Sequence, residues 1–524
     1  MDWRNIRNGI PVPTEPGYSD QPSVVETAEG NWLLCITTGR GQEGAAGQYV
    51  AITRSEDQGK SWSSPVPMED PEWESAYGTL ACAPGGRVFC FYCYNLHRVD
   101  SRKLGMRYDM GGAFVFRYTD DEGRTWSQRR EIPVPMFVLD EEAPDSLDGT
   151  PLRFFWNVSR PFFHKGSCYV PLIHYVPVGQ SILGKSEGSL LCCEGLEENP
   201  DAVWRTCPEG SVGIRTPEGG DVVAEEQSFV TLSDDTLFCT FRTIDGRPAY
   251  AVSRDNGVSF EPSRWLSYAS GEIVKHSRAA TFIWPLGNQK YLYWLHNVSR
   301  PQDVWRPRNP VWVSLAEETD TPEGKNLLFH SPEIFLYDPD PAIGISYPHL
   351  FQSKGKWYVS ETDKVTARIH PVAQEMLDAL GKTEAPVRKP VWFASEHFEI
   401  NSRGGMTLLV RWKGNADGIL LQAEDLQVEV LNGKLAWRYG SANGSTPIGA
   451  GGEHAAALRL DFEAHIGYAV TDGCYRMNPL YQRDYEWLDE TVLRACRVRL
   501  DECVTEACAW DEILTTAQME YLTR

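Results

Sequence analysis

Over its first 370 residues, the chain alternates apolar and aromatic runs of four to seven residues with turns rich in Gly, Pro, Asp and Asn. Residues 32–36 and 89–93 are two of these runs. Runs of this length between turn residues are typical of β-strands, and helical spacing of apolar residues is nearly absent. The pattern therefore predicts an all-β fold.

A five-point pattern occurs three times in this region. The copies are Ser55-x-Asp57-x-Gly59-x-Ser61-Trp62, Thr119-x-Asp121-x-Gly123-x-Thr125-Trp126 and Ser253-x-Asp255-x-Gly257-x-Ser259-Phe260. An Asp at this position can accept hydrogen bonds from the N–H groups of a turn, and Gly readily takes a positive φ. We therefore expect each copy to form a turn between strands and to have a structural role.

The spacing of the copies indicates a longer repeat. Their aspartates are 64 and then 134 residues apart, which fits a repeat near 65 residues with one degenerate copy near residue 188. Six such repeats fill about 380 residues, and a repeat of three or four strands is typical of one propeller blade. The sequence therefore predicts a six-bladed β-propeller over residues 1–383.

The pattern changes after Pro371. Residues 376–380 predict a short helical turn, and residues 384–390 form a connector that contains Pro and Lys. Alternating strands follow, which predicts an antiparallel β-sandwich of the jelly-roll type over residues 391–524. A carbohydrate-binding role and a purely packing role for this second domain both stay open.

Composition narrows the function. Lys and Arg number 50 against 72 Asp and Glu, a formal charge of −22, which argues against nucleic-acid or anionic-membrane partners. No signal-like or membrane-spanning apolar segment is evident, so we expect a cytoplasmic protein. Many of the 13 cysteines lie in apolar runs and are expected to be reduced core residues. No residue cluster has metal-ligand spacing, so neither a metal nor a cofactor is expected.

The three five-point copies resemble the Asp-box, or BNR, repeats of the sialidase superfamily, over about residues 15–370. The last residues of the chain are similar to a laminin-G or concanavalin-like module. The resemblance implies a glycoside hydrolase that uses a Tyr nucleophile and acts on an oligosaccharide or glycoconjugate.

Two segments resemble the parts of sialidases that carry the nucleophile pair. Glu226 precedes a Leu-Ser-Asp-Asp turn and Arg242 follows it, at a spacing that predicts a hairpin returning both side chains to one end. Tyr347 lies in a segment similar to the one that holds the family's nucleophile. A phenol has a free pKa of ~10 and needs a base, so the resemblance assigns Tyr347 as nucleophile and Glu226 as its partner.

Two further residues resemble sialidase positions more loosely. Arg308 lies where sialidases place another substrate-binding Arg, and together with Arg242 it would form a carboxylate clamp. Glu43 lies in a Gly-rich loop before the first five-point copy, where the family has an acid/base Asp. Glu43 is therefore the candidate general acid.

The chain departs from the family at its first strand. Sialidases have an Arg there, the first of three that clamp the substrate carboxylate, whereas this chain has Asp20. A second negative charge would repel that carboxylate. Asp20 and Gln21 suit hydrogen bonds to sugar hydroxyls; alternatively, the positive charge is restored by Arg40, Arg98 or Arg278.

These features predict an exo-acting glycoside hydrolase that removes a terminal sialic acid-like or other acidic or polyhydroxylated sugar. One alternative is a propeller polysaccharide lyase or rhamnosidase acting on uronate-linked sugars, in which His97, His276 or His349 would matter more than Glu226. Another is a non-catalytic, carbohydrate-binding propeller. Two positions stay open: Arg160 as a residue of the central channel, and Glu361 as a second carboxylate near Tyr347 or a charge at a strand end.

Overall fold

The protein is all-β, as predicted, and its strand ladders are antiparallel. The computed structural model describes residues 2–100, 103, 107, 109, 112–143, 146–147, 149–151, 153–178, 181–299, 308–394, 397–398, 404–489 and 496–524. Within these residues, no helix has the length and apolar character needed to cross a membrane. The cysteines described there are free, and most are buried, in agreement with a packing role.

Apart from one two-stranded hairpin, the strands up to residue 371 form six successive sheets of four or five strands within the described residues, which we call sheets I to VI. The chain starts with a 3-10 turn (Ile6–Asn8) and β1 (Ile10–Pro11). Sheet I comprises β2 (Tyr18–Glu26), β3 (Trp32–Gly39), β4 (Tyr49–Ser55) and β5 (Val66–Pro67). Sheet II comprises β6 (Ser75–Cys82), β7 (Val88–Tyr94), β8 (Ala113–Thr119) and β9 (Arg130–Ile132).

A further 3-10 turn (Val138–Glu142) and a small hairpin of β10 (Ser146–Leu147) and β11 (Thr150–Pro151) lead to sheet III. Sheet III comprises β12 (Phe155–Trp156), β13 (Phe162–His164), β14 (Ser167–Val178), β15 (Ser181–Glu194) and β16 (Trp204–Cys207). Sheet IV comprises β17 (Glu225–Thr231), β18 (Leu237–Arg242), β19 (Ala249–Ser253) and β20 (Arg264–Trp265).

Sheet V comprises β21 (Phe282–Gly287), β22 (Lys290–Leu295), β23 (Val311–Thr321), β24 (Gly324–Phe329) and β25 (Glu333–Leu336). Sheet VI comprises β26 (Ser346–Ser353), β27 (Lys356–Thr362) and β28 (Ala367–Pro371), and it is completed by β1 from the start of the chain. Sheet VI therefore joins strands from both ends of this region.

The five-point pattern forms the expected turn in each of its three places, between the third and fourth strands of sheets I, II and IV. In the second copy, Asp121 accepts hydrogen bonds from the backbone N–H and the hydroxyl of Thr125, at 2.8 and 2.6 Å, and Gly123 has φ +79°. In sheet III, residues 188–193 lie in β15 as expected, and the corresponding turn begins at Gly195 without an Asp in that role.

Each of the six sheets is joined to the next, including sheet VI to sheet I, by a hydrogen bond from a strand residue or from a residue within three positions of a strand. In order from I–II to VI–I, the donor and acceptor pairs are Leu80 N and Ser23 Oγ, Asn157 Nδ2 and Thr79 Oγ1, Ala224 N and Ser186 Oγ, Ile283 N and Ser228 Oγ, Arg308 Nη1 and Ser346 Oγ, and Val24 N and His349 Nδ1. Each sheet therefore has two neighbours.

Beyond α1 (Gln374–Ala379), the chain forms a separate pair of larger sheets, within the described residues. In chain order the strands are β29 (Trp392–Phe393), β30 (His397–Phe398), β31 (Met406–Lys413), β32 (Gly418–Gln422), β33 (Leu426–Leu431), β34 (Lys434–Tyr439), β35 (Ala442–Pro447), β36 (Glu453–Asp461), β37 (Ile466–Thr471), β38 (Glu486–Trp487), β39 (Cys496–Arg497), β40 (Arg499–Leu500) and β41 (Val504–Trp510), followed by α2 (Thr516–Leu522).

Six of these strands form sheet VII (β29, β31, β36, β37, β38 and β41), and five form sheet VIII (β32, β33, β34, β35 and β40). An apolar core lies between them, and sheet VII also packs against sheet V. At that contact, Trp312 meets Tyr468 edge to face with ring centroids 5.3 Å apart. The region after α1 is thus fixed to the first region by buried aromatic packing.

Candidate active site

Four strands carry the same irregularity near their first residues. In β2, β6, β17 and β26 the pairing register shifts, and one residue other than Gly has a positive φ. These residues are Gln21 (φ +55°), Tyr77 (φ +59°), Glu226 (φ +57°) and Tyr347 (φ +45°). Such bulges redirect side chains and are common beside functional sites. The four bulges therefore mark one end of sheets I, II, IV and VI as the candidate site.

Two of the redirected side chains meet. The Tyr347 hydroxyl donates to Glu226 Oε1 at 3.1 Å, and the two residues are 8% and 2% exposed. Burial raises the pKa of Tyr347 to about 12 and also raises the pKa of Glu226, although Arg242 opposes the second shift. A carboxylate with a raised pKa is a stronger base, and here it lies in contact with the phenol that needs one.

Arg242 reaches the same carboxylate. Its Nη1 lies 2.9 Å from Glu226 Oε2, and its Nε donates to Glu225 Oε2 at 2.8 Å. Glu225 and Arg242 are directly opposed in the β17–β18 ladder, so the predicted hairpin does return both ends to one place. Arg278 Nη2 donates to Glu225 Oε1 at 3.0 Å. Glu225, which the sequence reasoning missed, therefore holds two arginines beside Glu226.

Arg308 approaches Tyr347 from the segment just before β23 of sheet V. Its guanidinium carbon lies 5.8 Å from the centroid of the Tyr347 ring, and its Nη1 donates to Ser346 Oγ at 2.9 Å. Among the described residues, Arg308 forms no ion pair with a carboxylate. Its positive charge nevertheless acts on Glu226 and Glu43, and it opposes the rise in the pKa of Glu226 that burial causes.

Lys364 occupies the other side of Tyr347. It lies in the turn between β27 and β28, and its Nζ is 4.2 Å from the centroid of the Tyr347 ring. The same Nζ lies 2.6 Å from Asp20 Oδ2 and 3.0 Å from Glu43 Oε2. Lys364 therefore bridges two carboxylates that the sequence analysis had placed in the site separately.

Glu43 has a second basic partner. Arg107 Nη2 lies 3.0 Å from Glu43 Oε1 and donates to the Tyr77 hydroxyl at 2.9 Å. Burial alone would raise the pKa of Glu43, but Lys364 and Arg107 outweigh it and hold that pKa well below its ordinary value. The expected general acid is thus held in its ionised form, which accepts a proton rather than donating one.

Asp20 is not the repulsive free charge that the sequence predicts. Its side chain is wholly buried, and Oδ2 accepts hydrogen bonds from Tyr18 Oη at 2.7 Å and from Lys364 Nζ. Burial raises the pKa of Asp20 in spite of Lys364. Because Glu43 stays ionised, Lys364 has a negative partner whichever form Asp20 takes.

The three arginines proposed to replace the missing positive charge have other surroundings. Arg40 and Arg98 are exposed, and the Arg98 guanidinium carbon lies 4.6 Å from the centroid of the Trp73 ring. Arg278 reaches the site but is paired with Glu225. The basic side chain that lies beside Asp20 is instead Lys364.

The histidines do not form a base near Tyr347. His97 is exposed, whereas His276 and His349 are buried and hydrogen-bonded to backbone groups. Burial lowers the pKa of His276 to about 3 and lowers that of His349 well below its ordinary value. Both buried imidazoles are therefore weak bases.

The structure gives contacts for the two positions that the sequence leaves open. Glu361 lies 3.3 Å from Arg368 Nη1 and 3.2 Å from His370 Nε2, within sheet VI. Arg160 lines a cavity of about 550 Å³ together with Trp284 and Trp357, and it also lines a small cavity together with Tyr347. Among the described residues, no cluster of His, Cys, Asp and Glu could hold a metal ion.

No family model matches the chain. No curated protein matches it either. Among solved structures, a protein of unknown function from Dyadobacter fermentans has a TM-score of 0.51 and 14% identity, covering 70% of this chain and 98% of its own. This likeness shows a shared fold alone.

Two enzymes are less similar in structure. The Trypanosoma rangeli sialidase (TM-score 0.47, 12% identity) covers 99% of this chain and 96% of its own. The intramolecular trans-sialidase from Ruminococcus gnavus (TM-score 0.48, 12% identity) covers 70% of this chain and 96% of its own. At TM-scores below 0.5, these two structural similarities do not establish a function for this chain.

Proposed function

We propose that this protein is an exo-acting glycoside hydrolase that removes a terminal sialic acid-like or other acidic or polyhydroxylated sugar, with Tyr347 as nucleophile. The observation that carries the proposal is the contact of 3.1 Å between the Tyr347 hydroxyl and Glu226 Oε1, with Arg242 and Arg308 beside it. A buried phenol, a basic carboxylate and two guanidinium groups are the parts that a Tyr-based glycosidase needs.

The proposal includes a propeller. Six successive sheets, each joined to two neighbours, and the pairing of β1 with β28 support a closed ring of six blades over residues 1–383. Sheets VII and VIII support a β-sandwich over residues 391–524. In such a ring, the bulged ends of four inner strands meet around the axis, where a sugar can bind.

The reaction proceeds in two displacements. Tyr347 Oη attacks the anomeric carbon while Glu226 takes the phenolic proton, the bond to the leaving oxygen breaks, and that oxygen takes a proton from an acid. Water then attacks the same carbon, the bond to Tyr347 breaks, and Glu226 returns the proton to the phenolate. The water proton goes to the group that acted as acid in the first step.

Glu43 is the candidate for that acid/base group. Lys364 and Arg107 disfavour its protonated form, so proton delivery to the leaving group is the difficult step. We therefore expect glycosides with acidic leaving groups, such as 4-nitrophenol, to be hydrolysed far faster than alkyl glycosides of the same sugar.

The test compares wild type with Tyr347→Phe on 4-nitrophenyl glycosides of sialic acid, uronic acids and neutral sugars. Turnover of one class by wild type and a loss of at least about 10³-fold in the variant are expected. Tyr337→Phe is the matched control, because the Tyr337 hydroxyl also donates to a carboxylate, Asp2 Oδ2 at 3.0 Å, outside the site.

Wild-type turnover in Tyr347→Phe would exclude the proposed nucleophile. Saturable sugar binding without turnover of any glycoside would instead favour the non-catalytic, carbohydrate-binding alternative. The lyase alternative would be favoured by an unsaturated uronate product, which absorbs in the ultraviolet; the low pKa of His276 and His349 does not favour it.

A further inference from the structure

Most basic groups around Tyr347 already have an acidic partner in the chain. Five of them are Lys364, Arg107, Arg242, Arg278 and Arg308, and a sixth, Arg160, lines a small cavity together with Tyr347. Lys364 contacts Asp20 and Glu43, and the first three arginines contact Glu43, Asp109, Glu225 or Glu226. Arg308, with its Ser346 partner, and Arg160 form no ion pair with a carboxylate among the described residues.

We propose that the sugar ring bound beside Tyr347 carries no free carboxylate, and that Lys364, through its pairing with Asp20 and Glu43, is the residue that excludes acidic rings. The inference rests on the proposed function and narrows its substrate class to neutral, polyhydroxylated glycosides.

The argument starts from charge. A carboxylate that approached Lys364 or Arg242 would have to separate Lys364 from Asp20 and Glu43, or Arg242 from Glu225 and Glu226, and it would face the displaced carboxylates. A carboxylate that approached Arg308 instead would meet a guanidinium whose charge already acts on Glu226 and Glu43. In a buried site, breaking a compensated ion pair leaves an unpaired charge, which is costly. A neutral ring requires no such exchange.

The hydrogen-bonding capacity of two buried side chains also favours a neutral ring. Asp20 Oδ1 and Gln21 Oε1 are buried atoms without a hydrogen-bond partner among the described residues. Both are acceptors when Asp20 is ionised, and the amide oxygen of Gln21 is an acceptor in any case. Gln21 lines a small cavity together with Tyr347, so a sugar hydroxyl that enters this cavity can donate to Gln21 Oε1, whereas a carboxylate has no proton to donate.

The experiment measures binding to full-length protein by isothermal titration calorimetry with matched methyl glycosides. Each pair differs only in a CH2OH or a carboxylate group: glucoside and glucuronide, galactoside and galacturonide; the methyl glycoside of sialic acid is added. We expect at least one neutral member to bind at least about tenfold more tightly than its acidic partner.

Asp20→Asn tests the cause. Removing this negative partner leaves Lys364 more available to an anion, so the preference for the neutral member should shrink by about tenfold. Glu361→Gln is the control, because it also removes a buried carboxylate from an ion pair but lies outside the site. If Asp20→Asn does not fold, Gln21→Leu should weaken the neutral member alone.

Three results would overturn the inference: tighter binding of the acidic member in wild type, an unchanged preference in a folded Asp20→Asn, and binding of no neutral member. A neutral glycoside that binds but is never hydrolysed would refute the proposed function and leave this inference intact. Tyr347-dependent hydrolysis of acidic glycosides alone would support the proposed function and refute this inference.

Discussion

The two sides of Tyr347 are built in different ways. On one side, which we call the nucleophile side, Glu226 and Arg242 come from neighbouring strands of sheet IV. On the other, the lysine side, Glu43, Lys364 and Arg107 come from loops and turns outside the strands. Both sides place a carboxylate beside a basic group, but with opposite effects on the acid: the pKa of Glu226 is raised and that of Glu43 is lowered.

The difference shows how neighbours decide the role of a buried carboxylate. Arg242 divides its contacts between Glu226 and Glu225, so burial outweighs its effect on Glu226. Glu43 contacts both Lys364 and Arg107, and their combined charge lowers the pKa of Glu43 more than burial raises it. Two acids of one type in one site can therefore differ in proton affinity because they have different basic partners.

The largest effect is expected from the nucleophile side. Glu226→Gln keeps the shape of the side chain but removes the base, so kcat should fall by about 10²–10⁴ with little change in KM. Steady-state kinetics on the best 4-nitrophenyl glycoside would measure this, with Glu361→Gln as the control. A kcat within a few-fold of wild type would exclude Glu226 as the base.

Substitution on the lysine side should depend on the leaving group. Glu43→Gln should reduce kcat by about 10²-fold on alkyl glycosides, because their leaving oxygen needs a proton, and much less on 4-nitrophenyl glycosides. Equal losses on both would assign Glu43 a role other than proton transfer. Glu56→Gln, in an exposed loop, is the control.

The pH dependence should separate the two carboxylates. Glu226 must be ionised to act, and its pKa is raised, so kcat/KM should fall on acidification with a midpoint above the ordinary Glu value of ~4.3. A midpoint at or below that value would contradict the raised pKa. In the Glu226→Gln variant, the residual kcat/KM should not show this fall on acidification.

Glu43 should affect stability in another pH range. Its pKa is lowered in the folded state, so its contribution to stability is present at neutral pH and is lost as the pH falls below the ordinary Glu value toward the folded one. The difference in Tm between wild type and Glu43→Gln should therefore be largest near pH 7 and shrink below about pH 4. A difference in Tm that grows on acidification would contradict the lowered pKa of Glu43.

The smallest effect is expected outside both sides. Asp121→Ala removes two hydrogen bonds to Thr125 in an exposed turn and should cost about 1 kcal/mol of unfolding free energy, with kcat/KM unchanged. Urea unfolding followed by fluorescence would measure it. A loss of activity in a folded variant would give the turn a role beyond structure.

Much of the nucleophile side could be predicted from the sequence because strands impose regular spacing. Glu226 and Arg242 flank one turn, and a hairpin has few ways to return its ends. Glu225 was missed because the bulge at Glu226 places two consecutive residues where a regular strand would place one. The doublet of acidic residues before an apolar strand was the available signal.

The lysine side could not be predicted in the same way. Lys364 acts through a long side chain from a turn, and Arg107 lies far along the chain from Glu43, so neither spacing nor periodicity relates them. The all-β class and the six repeats of the first region followed from short apolar runs and from the aspartate spacing, which are local features. The propeller, its domain boundaries and the catalytic roles stay predictions.

The pairing of β1 with β28 can form only after both strands have been synthesised. Ile10 leaves the ribosome long before its partner Ile369, which emerges only after all of sheets I to V. Until then β1 lacks the strand with which it pairs in the folded protein. Proteolytic sensitivity of β1 should therefore persist throughout translation of this region and disappear once β28 has emerged.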